Sequence, residues 1–313
     1  MLSRKAQIAL KLETTEGTAV SLAAADADLY VYEVSFTPDI QTMPRNPLRS
    51  TLTNLPHLIG KKGASISFKT ELVGSGTAGT APSLGDALLA CGCSETVVAS
   101  TSVTYAPDTD ATEGDGTSAS VGLFIDGKRF AMSGSRGTYT IEYKAGEPAF
   151  IVFTFTGVYG GVTDTALLSG ITYPTPTPKV WLGETLTLGG VTLVADTLTF
   201  DAANTVTLRS DVTQAAGYLA AAITERVPTI NVDPEEVLVA TRDDWGKLAA
   251  GTASAVVATL TGSAGNIVTL NAPTAVVTNV GQSDRDGVQV NQLDLALSST
   301  TSAGDNEWTL VFT

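Results

Sequence analysis

Short segments in which apolar and polar residues alternate recur along this chain, and each predicts a half-buried β-strand. Residues 64–72 place Ile66 and Phe68 on one face of such a strand and hydroxyl or charged side chains on the other. Residues 138–144 alternate in the same way. Helical spacing is limited to 83–92 and 242–251, where an apolar stripe ends at a glycine. The pattern therefore predicts a mainly β chain of antiparallel strands with few, short helices.

The order of these segments is duplicated along the chain. The second half repeats a strand, a helix and a later strand of the first half: 64–72 with 227–235, 83–92 with 242–251, and 135–143 with 284–295. Both halves also close on the tripeptide Val-Phe-Thr, at 152–154 and at 311–313. This repetition predicts two tandem domains, each built from antiparallel strands and one short α-helix.

Two segments lie outside the repeat and help to set the predicted bounds. We expect an N-terminal arm at 1–27, a first domain at 28–165, a Pro-rich linker at 166–180 and a second domain at 181–313. Within the first domain, 37–63 is predicted to be a long loop. It is basic, since Asp39 is its single acidic residue against four basic ones: Arg45, Arg49, Lys61 and Lys62. A basic loop suits contact with an acidic surface on a neighbouring copy.

Composition and charge exclude several classes of function. Apolar residues make up 43% of the chain and charged residues 16%, which is typical of a folded protein. The 18 basic and 32 acidic residues give a net charge of −14, so binding to DNA through phosphate contacts is disfavoured. The N-terminal apolar stretch is broken by Lys11 and Glu13, and no run approaches the length of a membrane span. We therefore expect no export signal, no membrane contact, and assembly in a bacterial cytoplasm.

Several motifs suggest chemistry, but each has a simpler explanation. Gly74, Gly76 and Gly79 match the dinucleotide fingerprint, yet the preceding strand alternates and no βαβ series follows. The acidic turn at 108–115 resembles a calcium loop without its turn glycine, so weak calcium binding stays open. His57 is the sole histidine, and no nucleophile motif accompanies it. The sequence thus predicts no enzyme, no cofactor and no metal site.

The segment 70–107 resembles the signature region of the tail tube proteins of siphophages and their prophages. It reads TELVGSGTAGTAPSLGDALLACGCSETVVASTSVTYAP, with a Gly/Thr-rich loop, a short helix and a Ser-Val-Thr-Tyr strand in the family's order. Residues 4–19 also resemble the family's arm, and the stretches at 265–273 and 283–297 resemble its C-terminal part. The likeness therefore extends over most of the chain and suggests two fused tube domains.

This resemblance implies a fold and a mode of action. Each domain is expected to be a β-sandwich with one flanking helix, and sheets of neighbouring domains are expected to join into a barrel around a channel. The family's usual six domains per ring imply a homotrimer with pseudo-sixfold symmetry, although a ring of six whole chains stays open. Stacked rings would form the tail tube of the virion, through which DNA passes on ejection without specific binding. The implied partners are further copies, the tape measure protein, the tail terminator and tail-tip proteins.

Polar positions of the alternating strands are the candidates for the channel lining. They are Ser67, Lys69, Glu71, Thr140, Glu142, Thr229, Asn231, Gln292 and Asp294. Basic residues of the arm and of 37–63 are the candidates for contacts between rings: Arg4, Lys5, Lys11, Arg45, Arg49, Lys61 and Lys62. The alternatives are another virion protein, such as a tail terminator or a capsid decoration protein, and a surface β-protein or adhesin.

Overall fold

The computed structural model describes residue 2 and residues 4–110 and 118–313, and these residues are mostly β-strand. The first half contributes β1 (Ala6–Leu12), β2 (Val31–Arg45), β3 (Leu55–Glu71), α1 (Gly85–Leu89), β4 (Cys93–Val98), β5 (Ser102–Pro107), β6 (Ala119–Ile125), β7 (Lys128–Lys144) and β8 (Phe150–Asp164). The second half contributes β9 (Leu186–Leu188), β10 (Val191–Thr192), β11 (Ala195–Asp201), β12 (Asn204–Ser210), β13 (Tyr218–Arg226), β14 (Thr229–Pro234), α2 (Asp244–Ala250), β15 (Ala253–Leu260), β16 (Val268–Arg285), β17 (Val288–Leu297) and β18 (Thr309–Phe312). The predicted mainly β, antiparallel fold class is confirmed.

One antiparallel sheet of eight strands runs through both halves of the chain. Its order is β2-β3-β8-β7-β11-β14-β17-β16. The halves meet in the middle of this sheet, where Phe200 on β11 pairs with Ile141 on β7 and Asp201 pairs with Thr140. The seam is therefore a continuous hydrogen-bonded ladder.

A second layer of strands covers one face of this sheet. The N-terminal part of β7 pairs with β6, which pairs with β1, and the N-terminal part of β16 pairs with β15, which pairs with β9. A second seam joins the halves here, since Leu310 on β18 pairs with Tyr105 on β5. Bulges at Ser133–Arg136 of β7 and Val277–Asn279 of β16 accompany the bends at which these strands pass from one layer to the other.

The two layers enclose one hydrophobic core that spans both halves. Trp308, 1% exposed, packs with its ring centroid 5.9 Å from that of Tyr139 and 5.3 Å from that of Phe200. Phe153 adds a ring 5.8 Å from Tyr139. First-half and second-half aromatic residues therefore share the main core of the described residues.

Both predicted helices form, but the segments flanking the repeat differ from the expectation. The predicted loop 37–63 is largely a hairpin, since β2 and β3 extend to Arg45 and from Leu55. The prolines and polar residues of this segment interrupt the alternation of apolar and polar positions that predicts a strand. Part of the predicted arm is also a strand, because Ile8 and Leu10 on β1 are buried against β6.

The strand pairings of the two halves correspond. The first half pairs β1-β6-β7-β8-β3-β2, and the second half pairs β9-β15-β16-β17-β14-β11. A bulge interrupts the β6–β7 ladder at Ala119–Val121, and another interrupts the β15–β16 ladder at the equivalent Ser254–Val256. The exact bounds of two domains stay a prediction, because the halves share one sheet and one core.

Candidate functional site: an open sheet face and two free edges

The eight-stranded sheet has one face that the second layer does not cover, which we call the open face. It is built from the alternate residues of each strand, whose neighbours point into the core. On β3, for example, Ile66 and Phe68 are fully buried, whereas Ser67 and Lys69 are partly exposed. The open face therefore follows directly from the alternation in the sequence.

Two rows of directly opposite residues cross the open face and both halves. One row is Glu71–Phe150–Glu142–Thr199–Asn231–Asp294–Asn279. The next is Lys69–Val152–Thr140–Asp201–Thr229–Ala296–Val276. All nine residues predicted to line a channel lie on this face, because Ser67 and Gln292 occupy further outward positions of β3 and β17.

The open face mixes polar and apolar side chains and is weakly acidic. The two rows carry four carboxylates, Glu71, Glu142, Asp201 and Asp294, against the single ammonium group of Lys69. That lysine is neutralised locally, since its Nζ lies 2.6 Å from a carboxylate oxygen of Glu142. The remaining carboxylates give this surface the sign that repels phosphate groups.

Tyr32 on β2 also contacts this face. Its hydroxyl donates a hydrogen bond of 2.7 Å to Oε1 of Glu71. This hydrogen bond raises the pKa of Tyr32 to about 12, because the neutral phenol is the better donor to a carboxylate. The phenol therefore stays protonated and fixes the Glu71 side chain at the edge of the sheet.

Both edges of the eight-stranded sheet are free. β2 pairs with β3 on one side and with no described strand on the other. Among the strands that the structure describes, the C-terminal part of β16, from Val277 to Arg285, pairs with β17 alone. Unpaired strand edges expose backbone N–H and C=O groups, which makes them templates for strands of another chain.

Sequence comparison decides what kind of protein carries this sheet. The family model described as phage tail tube protein matches residues 3–301, nearly the whole chain. The chain belongs to the phage tail tube protein family. No curated protein matches it in a sequence search. Membership makes the protein a structural component of a phage tail, from a family of structural proteins and not of enzymes.

The basic residues predicted to join rings of this tail tube protein lie in two separate groups. On the first half, Lys5 lies 3.7 Å from Asp126 and Lys11 lies 3.5 Å from Asp26, and Arg4 is exposed nearby. The remaining four, Arg45, Arg49, Lys61 and Lys62, lie on the β2–β3 hairpin. The two groups therefore belong to different elements of the first half.

Sequence reasoning missed the hairpin β12–β13, which ties the second half of the tail tube protein to the first. Arg209 on this hairpin lies 2.8 Å from Glu16, and the same carboxylate lies 3.5 Å from the buried Arg136. The signal was available, since this hairpin stands at the position in the second repeat that 37–63 occupies in the first.

The glycine motif at 74–79 lets the loop after β3 pack closely on the turn between β15 and β16. Gly74 N donates to Oδ1 of Asn266 at 2.8 Å, and Gly76 N donates to the carbonyl of Gly265 at 3.0 Å. The amides that would bind a phosphate are thus already bonded, and the following helix has only five residues. A dinucleotide site is therefore not supported.

The other sequence motifs lie apart from the open face. Of the predicted acidic turn, Glu113 and Asp115 are outside the described residues. Within the described ranges no group of three acidic, cysteine or histidine side chains is placed to hold a metal ion. Cys93 is buried, and burial raises its pKa to about 12, so it is an inert thiol. No described helix has both the length and the apolarity needed to cross a membrane.

Proposed function

We propose that this chain is the repeating subunit of a hollow tail tube, in which three copies close a ring and the rings stack. The observation that carries the proposal is the eight-stranded sheet with one polar face and two free edges. A ring pairs the free edge of each copy with the opposite free edge of the next, so that no edge remains exposed.

The size of the closed sheet supports three copies. Three sheets of eight strands make 24 strands, which at about 4.8 Å spacing and about 40° tilt form a barrel roughly 50 Å across. Two copies would give about 30 Å between opposite backbones, and inward side chains would narrow that channel further. The larger barrel leaves room for a DNA duplex, and this favours the trimer with pseudo-sixfold symmetry.

The open face is the proposed channel lining. Its carboxylates repel the phosphates of DNA, and its threonine and asparagine side chains offer neutral contacts. DNA can then pass on ejection without specific binding. In this role the nine predicted lining residues contribute together to the charge and polarity of the channel wall, and none of them has to carry out chemistry.

The remaining predictions on assembly follow from this arrangement. Arg4, Lys5 and Lys11 are the proposed contacts between stacked rings, because they lie along β1 or just before it and keep basic side chains near the surface of the first half. Tape measure, terminator and tail-tip proteins are the proposed partners inside and at the ends of the tube. Assembly of a long non-contractile siphophage tail is proposed to take place in the host cytoplasm.

Electron microscopy and chemical labelling together test the proposal. Purified protein is expected to form rings or tubes, and a cysteine replacing the exposed Asn231 should react with a bulky maleimide in the free chain but not in tubes. Ala99→Cys, in the exposed turn after β4, is the matched control that should react in both states. Equal protection of both positions, or free reaction of the Asn231→Cys thiol in tubes, would contradict the proposed lining.

A further inference from the structure

The chain contains one complete interface between its own halves. β11 of the second half extends the sheet at β7, and the hairpin β12–β13 then lies on the first half. There Nε of the buried Arg136 donates to the carbonyl of Ala221 at 3.1 Å. At the tip of the hairpin, Lys62 N donates to the carbonyl of Ala216 at 2.9 Å.

The first half carries a hairpin that corresponds to β12–β13. Phe36 on β2 pairs with Ile66 on β3, and Phe200 on β11 pairs with Ile230 on β14. Both second-half residues lie 164 positions after their counterparts (36 and 200, 66 and 230). The same offset relates two hairpin segments of equal length: 40–62 and 204–226.

The two hairpins differ in what covers them. Ala222 and Ile223 on β13 are each 8% exposed, because they lie against the first half. Their counterparts Leu58 and Ile59 are 50% and 56% exposed. The apolar side chains of 40–62 thus have the pattern of an interface without its partner.

The side of the second half that would receive this hairpin is also uncovered. In the internal interface the loop after β3 packs on the turn between β15 and β16, where Gly76 N donates to the Gly265 carbonyl at 3.0 Å. The corresponding loop after β14 is solvent-exposed. Its side chains Val237, Leu238 and Val239 are 39%, 80% and 64% exposed.

The charges of the two surfaces are complementary. Segment 40–62 contains four basic residues and no acidic one. Residues 181–313 contain 15 acidic and 5 basic residues, a net charge of −10. A basic hairpin and an acidic receiving half attract each other in the encounter between copies, and two acidic halves do not.

The strand pairings also indicate which residues of β2 and β16 would lie opposite each other if two copies joined as the two halves of one chain do. Each half has a row of three paired core residues across its sheet: Phe68–Phe153–Tyr139 in the first half and Val232–Leu293–Val280 in the second. These rows match Tyr139 on β7 with Val280 on β16. Three residues after each of them, Glu142 on β7 therefore corresponds to Ser283 on β16. In the internal interface Glu142 pairs with Thr199, whose counterpart on β2 is Ser35.

We propose that the hairpin 40–62 docks on the second half of a second copy, with β2 paired to the free edge of β16 so that Ser35 lies opposite Ser283 of the partner subunit. The internal ladder ends at Asp201, the counterpart of Thr37. Pro38 follows Thr37 and has no N–H to donate. The ladder between β2 and β16 of the second copy should therefore end at Thr37, with one backbone hydrogen bond fewer than the internal ladder. This deepens the proposed ring, on which it rests, and assigns the hairpin to a neighbour in the same ring instead of the next ring.

An engineered disulfide tests the register. Directly opposite residues of antiparallel strands have Cα atoms about 4.5–5.5 Å apart, within the range that a disulfide spans. Ser35→Cys with Ser283→Cys should therefore give covalent trimers under oxidising conditions. Ser35→Cys with Asp284→Cys is the matched control, because a one-residue slip turns the side chain to the other face. Thr199→Cys with Glu142→Cys should bridge within one chain and give no oligomer.

A surface variant tests the apolar contact independently. Leu58→Asp with Ile59→Asp should leave the free chain folded, since both side chains are exposed, and should raise the concentration needed for assembly at least about tenfold. Val97→Asp with Val98→Asp is the control, because these residues on β4 are equally exposed at 50% and 49% and lie outside the proposed interface. Circular dichroism reports the fold and light scattering reports assembly.

The outcomes separate this proposal from the proposed function. The docking is overturned if tubes form but the Ser35→Cys and Ser283→Cys thiols do not become linked, or become linked no better than those of the Ser35→Cys, Asp284→Cys control. The proposed tube is not contradicted by that result. Equal assembly by the two aspartate variants also overturns the docking. Failure of the unmodified protein to form any ring or tube contradicts the proposed function itself.

Discussion

Replacing Gly74 by alanine tests whether the two halves of the chain are held together as described. A Cβ at this position would lie 2.0 Å from the carbonyl oxygen of Gly265, 3.0 Å from its carbonyl carbon and 3.1 Å from Cα of Asn266. All three are backbone atoms, so no side chain can move aside. The loop after β3 and the turn before β16 must separate by more than an ångström.

The cost of this separation can be worked from the contacts. Two hydrogen bonds, Gly74 N to Asn266 Oδ1 and Gly76 N to the Gly265 carbonyl, would lengthen or break, at about 1 kcal/mol each. Overpacking adds about 1–3 kcal/mol. We therefore expect Gly74→Ala to destabilise the fold by about 3–5 kcal/mol, which for a chain of 313 residues lowers Tm by about 5–8 °C.

Calorimetry and urea unfolding measure this effect, and Gly281→Ala is the matched control. A Cβ at Gly281 would come no closer than 3.4 Å to the Gln292 side chain, so that substitution should change Tm by less than about 1 °C. Equal Tm values for the two variants would show that the backbone contact at Gly74 does not hold the two halves together. A loss of nucleotide binding in Gly74→Ala, without a loss of stability, would instead revive the dinucleotide interpretation.

Three further predictions follow from the charges of the molecule. Asp86 is solvent-exposed on α1, but partial desolvation and the neighbouring carboxylates of Asp26, Glu95 and Asp28 raise its pKa, so the folded state prefers the protonated form and loses a little stability as pH rises above the ordinary carboxyl pKa near 4. Because solvent screens these charges, Asp86→Asn should raise Tm at pH 7 by only about 1 °C and slightly flatten its dependence on pH between 4 and 7. Arg136→Met should destabilise the fold by about 2–4 kcal/mol in urea unfolding, because it leaves a carboxylate and a carbonyl at the seam without this partner, whereas the more exposed Arg209→Ala should cost less than about 1 kcal/mol. Thr140→Lys with Asn231→Lys should let assembled tubes retain linear DNA in a sedimentation assay, with retention that falls as salt is raised, and tubes that retain none would contradict an open face that lines the channel.

Much of the fold was predictable because alternation reports burial directly. Residues such as Ile66, Phe68 and Ile141 lie in the core as their spacing indicates, and the turn at Asp126–Gly127 joins β6 to β7 as a tight hairpin. The polar residues of the same strands lie together on the open face for the same reason. Their position in an assembled tube stays a prediction, since a single chain has no channel.

The arrangement of the two halves was not predictable from local patterns. The pairing of Phe200 with Ile141 joins residues far apart in sequence, and no periodicity within either strand specifies it. The hairpin at 40–62 was expected to be a loop because Pro44, Pro47 and Pro56 mask its strands. Its place in the repeat points to 204–226, but only the strand pairings give the residue-by-residue correspondence between the two hairpins.

Electron cryomicroscopy of assembled tubes, at a resolution that traces the strands, would show both the ring symmetry and the surface that lines the channel. We expect three chains per ring, a continuous barrel of three eight-stranded sheets, and Thr140 and Asn231 facing the channel. Rings of six whole chains, or tubes in which these two residues face outward, would contradict it.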